Sequence, residues 1–184
     1  MDANKVELAG ILCSLLGVYF SAKQARIAWI WNILASGIYG YIFYGLGLFS
    51  DMELQGFFIL MALFGFFQWT RLNTDWTPEK SNRKELLLGI FSSLVFGLIS
   101  GYLHVRFVPN VSFPYLDASL SGLSIWGTYL AAKRKIENWF VWILVDVVYI
   151  SMYLQKGIPG TAALYGLFIL MAIYGYVSWQ KKMS

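Results

Sequence analysis

Charge is scarce in this chain, and so are the side chains that most often do chemistry. Only 13% of the 184 residues are charged, about half the share found in ordinary soluble domains. There is one cysteine, Cys13, and one histidine, His104. A single cysteine excludes an internal disulfide, and together with one histidine it cannot build a Cys/His metal site. No histidine, cysteine or paired carboxylates fall together at membrane depth, which argues against an intramembrane enzyme working by acid–base or nucleophilic chemistry. No cofactor is expected. The two-residue alternation of barrel strands is missing, which leaves helices. The first segment lacks the basic-then-apolar order and small-residue cleavage site of a signal peptide, so it reads as a span.

What is present is apolar. The chain is 58% hydrophobic and 18% aromatic, too apolar for a soluble domain of this length, and it reads as an integral membrane protein. Seven spans are predicted: Val6–Ser21, Ala28–Gly45, Met52–Arg71, Lys84–Arg106, Phe113–Ala132, Asn138–Gln155 and Pro159–Gln180. They divide into a first three-helix bundle (1–71), a loop and linker helix (72–112) and a second three-helix bundle (113–184). A net charge of +4 would suggest nucleic acid in a soluble protein. Here the cations lie in short loops and report topology instead, so no nucleic-acid partner is expected. Lys23, Arg26, Arg71, Lys80, Arg83, Lys84, Lys133, Arg134, Lys135, Lys181 and Lys182 share one side, and only Lys5, Arg106 and Lys156 lie on the other. That asymmetry predicts an N-terminus outside and a cytoplasmic C-terminus in a multi-pass membrane protein.

The chain also repeats itself. FFILMALFGFFQW (Phe57–Trp69) matches LFILMAIYGYVSW (Leu167–Trp179), and the same ungapped register aligns Gly17 with Gly127, Lys23 with Lys133, Trp29 with Trp139 and Tyr39 with Tyr149. Roughly 19 of 65 positions are identical at an offset of about 110 residues. Three spans reverse the chain's direction, so the extra span Lys84–Arg106 makes the two units parallel. The predicted fold is an all-α membrane protein of seven transmembrane helices, with two parallel three-helix repeats joined by a linker helix (3+1+3). Parallel halves related by an axis along the membrane normal are a transporter plan, with the site between them near the midplane. Gly97 to Gly101, GLISG, offers a small-residue face for close packing, between subunits or within one. Gly45, Gly47, Gly157, Pro159 and Gly160 near span ends read as hinge sites.

One carboxylate stands out. Asp146 lies roughly 12 Å into its span at 1.5 Å per residue, near the middle of a hydrocarbon core about 30 Å thick. Ionisable groups at that depth are costly and usually functional. Trp142 at i−4 and Tyr149 at i+3 share its helix face, an arrangement suited to an organic cation through charge pairing and cation–π attraction. The alternative is an Asp that pairs with a neighbouring helix as packing glue.

Positions where the repeats diverge towards polar residues mark a candidate ligand site. Asp146 pairs with Ser36, Trp142 with Asn32, Tyr165 with Gln55 and Trp126 with Leu16. Asn32 and Gln55 also suit plain interhelical hydrogen bonding. Glu7 and Asp117, joined by Asp51 and Glu53, suggest an acidic outer mouth, although acids in a first helical turn also complement the helix dipole. Trp29, Trp69, Trp76 and Trp179 are assigned to an aromatic belt at the interface, without ligand contact.

The runs ENWFVWILVDVVYISMYLQKG, TAALYGLFILMAIYGYVSW and SDMELQGFFILMALFGFFQW resemble PnuC-type vitamin transporters, and the resemblance extends over nearly the whole chain. It implies facilitated diffusion of an unphosphorylated vitamin, trapped by a downstream cytoplasmic vitamin kinase, with membrane lipid as the surroundings and often a homotrimer. By motif position it implies contacts from Gln55, Asn138, Trp139, Trp142 and Asp146. Phe67 and Leu116 stand where the nicotinamide riboside pattern more often carries tryptophan, which tips the expectation narrowly to thiamin, with nicotinamide riboside the alternative. A SWEET-type sugar carrier shares the 3+1+3 plan but has no need of Asp146, and a non-transporting sensor would bind ligand without moving it.

Overall fold

A computed structural model describes residues 3–45, 49–71, 76–108, 113–155 and 159–183. Gly47, Lys156 and Gly157, and the side chain of Asp51, lie outside the described residues. Seven helices make up most of the described chain: α1 Ala3–Ala22, α2 Ile27–Gly45, α3 Phe49–Thr70, α4 Arg83–Phe107, α5 Pro114–Ala132, α6 Asn138–Gln155 and α7 Pro159–Met183. These bounds fall within a few residues of the expected spans, because each apolar run is closed by local stop and start signals. At α4, Asn82 accepts from the Glu85 backbone N–H (2.8 Å), and the Glu85 carboxylate accepts from the Asn82 N–H (2.9 Å), forming a reciprocal capping box. At α5, Pro114 occupies the first turn, where its missing N–H costs nothing.

Among the described residues six helices, rather than all seven, are long and apolar enough to cross a membrane. The exception is α5, whose interior carries Ser119, Ser121, Ser124 and Thr128. It is flanked by α3, α4 and α6, and its buried residues include Leu120, Ser121, Gly122, Ser124, Gly127, Thr128 and Leu130. A helix shielded by protein need not be apolar all round. The Ser124 hydroxyl donates to the Leu120 carbonyl (2.8 Å) and that of Thr128 to the Ser124 carbonyl (2.8 Å), so their polarity is satisfied locally.

Helix neighbours are α1 with α2 and α7, α2 with α3, α3 with α5, α5 with α4 and α6, and α6 with α7. Among the described residues α4 touches only α5. Its glycines explain the close approach: a Cβ at Gly97 would strike Ser119, one at Gly101 would strike Tyr115, and one at Gly89 would strike the Trp126 indole. The GLISG face therefore packs within the chain.

The aromatic-belt expectation is overturned. Trp29, Trp69, Trp76, Trp139 and Trp179 form one buried cluster, all 7% exposed or less. Trp69 lies 5.3 Å from Trp29 and 4.9 Å from Trp76, and Trp179 lies 5.4 Å from both Trp76 and Trp139. Glycine makes room for it: a Cβ at Gly65 would meet the Trp29 ring at 2.5 Å, and one at Gly175 would strike the Trp139 ring. The Trp69 indole N–H donates to the Ala131 carbonyl (3.2 Å) and that of Trp179 to the Ser21 carbonyl (3.0 Å). Position in sequence near helix ends cannot distinguish this inward cluster from a lipid-facing belt.

A strap covers the same end. In the segment before α4, Glu79 pairs with the α5–α6 loop, its N–H donating to the Arg134 carbonyl and its carbonyl accepting from the Ile136 N–H, both at 3.0 Å. Its carboxylate bonds Arg134 (2.9 Å) and Lys135 (3.1 Å). The Ser81 N–H and hydroxyl both donate to Glu137 (3.0 and 2.9 Å). The Lys135 hydrogen bond, outweighing slight burial, holds the Glu79 carboxyl below its ordinary pKa. The α1–α2 loop has the same left-handed corner, φ 58° at Gln24 against 60° at Arg134.

Candidate functional site

Between the helices lies a cavity of about 750 Å³, within the range of small-molecule sites. One end carries Glu7 and Asp117, in the opening turns of α1 and α5, and the other is floored by Trp29 and Trp139 at the starts of α2 and α6. Nine of the ten sequence-predicted residues line it: Asn32, Ser36, Gln55, Asn138, Trp139, Trp142, Asp146, Tyr149 and Tyr165. Trp126 does not. Its indole packs against Gly89 of α4 and lines a separate cavity beside that helix.

Asp146 is 4% exposed, and among the described residues it has no hydrogen-bonding or ionic partner. The packing-glue alternative requires such a partner, and none is there. A buried carboxylate without a protein counter-ion is unfavourable unless a ligand or water supplies one. Aromatic rings stand around it. Tyr149 and Tyr165 are 5.3 Å apart, Tyr153 lies 5.9 and 5.2 Å from them, and Phe168 meets Tyr165 edge-on at 5.8 Å.

The polar residues opposite come from the first half. Asn32 lies against Gly17, where any Cβ would strike its amide oxygen. Neither Asn32 nor Gln55 has a hydrogen bond among the described residues, so their amides are not spent on helix-to-helix contacts. Asn138 is different: it is 1% exposed, and its amide donates to the Lys135 carbonyl at 2.7 Å, anchoring the start of α6. At the mouth Glu7 and Asp117 line the cavity, whereas Glu53 is exposed outside it. The Tyr149 hydroxyl donates to Asp117 at 3.5 Å.

Several lining residues escaped the divergence argument. Trp29, Tyr39, Phe43, Phe58, Tyr153 and Phe168 all face the cavity. The lining is built largely of positions 110 residues apart: Glu7 with Asp117, Trp29 with Trp139, Tyr39 with Tyr149, Phe43 with Tyr153 and Phe58 with Phe168. A search restricted to positions where the repeats differ passes over residues kept in both. Phe67 and Leu116 are 59% and 41% exposed and are not part of the lining. Their replacement of tryptophan therefore does not retune the cavity wall, and the reasoning that led from them to thiamin fails.

The family model for the nicotinamide mononucleotide transporter matches residues 4–181. The chain is 22% identical over 205 residues to the nicotinamide riboside transporter PnuC of Escherichia coli K12, covering 97% of this chain and 86% of that protein. It is 22% identical over 182 residues to the riboflavin/roseoflavin transporter RibM of Streptomyces davaonensis, covering 96% and 84%. A crystal structure of the vitamin B3 transporter PnuC superposes with a TM-score of 0.75 at 21% identity, over 96% of this chain and 81% of that one. These relatives are transporters, not enzymes. The all-helical fold, the six apolar helices and the full-length match together identify this multi-pass membrane chain as a member of the nicotinamide mononucleotide transporter family.

Proposed function

We propose that the protein carries an unphosphorylated, cationic vitamin across a bacterial inner membrane by facilitated diffusion, and that nicotinamide riboside, rather than thiamin, is the substrate. The observation that carries the reading is Asp146, a buried carboxylate on the wall of an aromatic cavity with no hydrogen-bonding or ionic partner among the described residues. A pyridinium supplies the missing positive charge and stacks on Trp142 or the tyrosines. The amides of Asn32 and Gln55 suit a carboxamide or ribose hydroxyls. Relatives from Escherichia coli and Neisseria mucosa are nicotinamide riboside transporters, which favours that cation over thiamin. A neutral sugar leaves Asp146 unexplained.

The halves act as parallel three-helix units about a central axis, with α4 as linker. Supporting this are the exchanged indole bonds, Trp69 to Ala131 and Trp179 to Ser21, which correspond at the repeat offset. The helix contacts correspond too: α1 with α7 matches α5 with α3. Rocking of these units exposes the cavity alternately, with the tryptophan cluster and strap as the closed gate and the acidic end as the entrance. The bias of basic residues towards those loops supports a cytoplasmic position for that closed gate, where a kinase traps the product.

The test is calorimetric binding of nicotinamide riboside, thiamin and riboflavin to purified protein, paired with uptake into sealed vesicles. Saturable uptake of nicotinamide riboside, with thiamin bound at least tenfold more weakly, supports the proposal. Preferred thiamin binding, or binding without uptake, rejects it.

A further inference from the structure

A second cavity, also of about 750 Å³, lies outside the central one, between α3, α4 and α5. Among the described residues the backbone of α4 comes close to that of α5 alone, which leaves a gap beside α3. Its deep walls are apolar, formed by Met61 of α3, Leu88 and Phe96 of α4 and Ile125 and Trp126 of α5. Its end at the α5–α6 loop is charged, with Lys133, Arg134 and Lys135 against Glu79 and Glu85, three cations to two carboxylates. Arg134 and Lys135 are held by those carboxylates. Lys133 has no carboxylate partner among the described residues, and its ammonium sits 5.4 Å over the Phe64 ring at the edge of the slot.

We propose that this slot binds one anionic phospholipid, its headgroup at Lys133 and one acyl chain between α3 and α4. The dimensions suit that occupant. From Lys133 down α5 to Gly122 is eleven residues, roughly 16 Å at 1.5 Å per residue, about half of a hydrocarbon core near 30 Å thick and so one leaflet. The charge is in the right place, at the helix ends where headgroups lie, and its excess is positive. Basic pockets between membrane helices select anionic headgroups in this way. Apolar walls at membrane depth, in a gap that protein does not fill, are met by an acyl chain. Trp126, which takes no part in the central cavity, has its place here as a wall of the slot.

The experiment is native mass spectrometry of the full chain in detergent, titrated with phosphatidylglycerol or with phosphatidylcholine of identical acyl chains. One equivalent of phosphatidylglycerol is expected to bind in preference to phosphatidylcholine. Lys133→Gln weakens phosphatidylglycerol about fivefold and Lys133→Glu more than tenfold, from roughly one cation's share of the surface attraction, with phosphatidylcholine unaffected. Ser92→Phe, which fills the slot from α4, weakens both lipids. Equal retention of the two lipids, indifference to Lys133, or full displacement by inorganic phosphate overturns the proposal. So does a change in oligomer mass, in place of lipid loss, on Ser92→Phe, which would assign the face to a second copy of the chain.

Discussion

Asp146→Asn changes one oxygen to nitrogen and removes one negative charge from the cavity wall. Among the described residues Asp146 has no hydrogen-bonding or ionic partner to lose, so the substitution breaks no such bond and relieves a buried carboxylate. The expected effect on the empty protein is an unchanged or slightly raised melting temperature. Binding changes in the opposite sense. Two unit charges 4 Å apart attract by about 4 kcal/mol at an effective dielectric near 20, and part of that is returned as both groups are desolvated. A charge-assisted contact typically nets about 1.5–3 kcal/mol, which is roughly a 10- to 150-fold rise in the dissociation constant for nicotinamide riboside. Reduced nicotinamide riboside, whose dihydropyridine ring is neutral, provides the control and should lose less than about threefold by the same argument. Calorimetry on both ligands, with a thermal melt of each protein, measures all three quantities. Equal weakening of the charged and neutral ligands, or unchanged affinity in a folded variant, refutes charge pairing.

The tryptophan cluster and the strap are open to the same treatment. Gly65→Ala drives a methyl group into the Trp29 ring and should destabilise by about 1–3 kcal/mol, read as a lower melting temperature. Gly166→Ala, which meets nothing within 4 Å, should be neutral or stabilising by about 0.5–1 kcal/mol. Because the Glu79 pKa is lowered in the folded chain, its contribution is present above the ordinary value near 4.5 and is lost as the pH falls through the folded value. Limited proteolysis within residues 76–82 should accordingly accelerate on acidification in the native protein, and Glu79→Gln should flatten that dependence. If the variant retains the full pH response, the strap is not held by this carboxylate.

Six of the seven helices were legible in the chain as spans because a span is a local property, some twenty apolar residues between turns, whereas the polar interior of α5 is tolerated only because neighbouring helices shield it. Asp146 was legible for a related reason, since a carboxylate in an apolar run violates the local pattern and demands an explanation. Matching segments 110 residues apart also drew attention to Asn32, Ser36, Trp142 and Asp146, and all four line one cavity. The same logic failed where one sequence pattern serves two surroundings. Tryptophans near helix ends look alike whether they face lipid or one another, and only the packing of Gly65 and Gly175 turns them inward. Trp126 and Trp142 both occur on apolar helices, yet the neighbours of α5 send one to α4 while α6 holds the other in the cavity. Phe67 and Leu116 read as specificity positions until their exposure removed them from the wall.

The sequence by itself determined the membrane class, the helix bounds and the misplaced charge, all of which depend on residues close in the chain. Only the tertiary structure decided which faces meet: the partnerless state of Asp146, the closed tryptophan end, the strap on one loop and the slot beside α4. Those properties arise from side chains of distant helices sharing one small volume, and the geometry of that sharing depends on every contact around it.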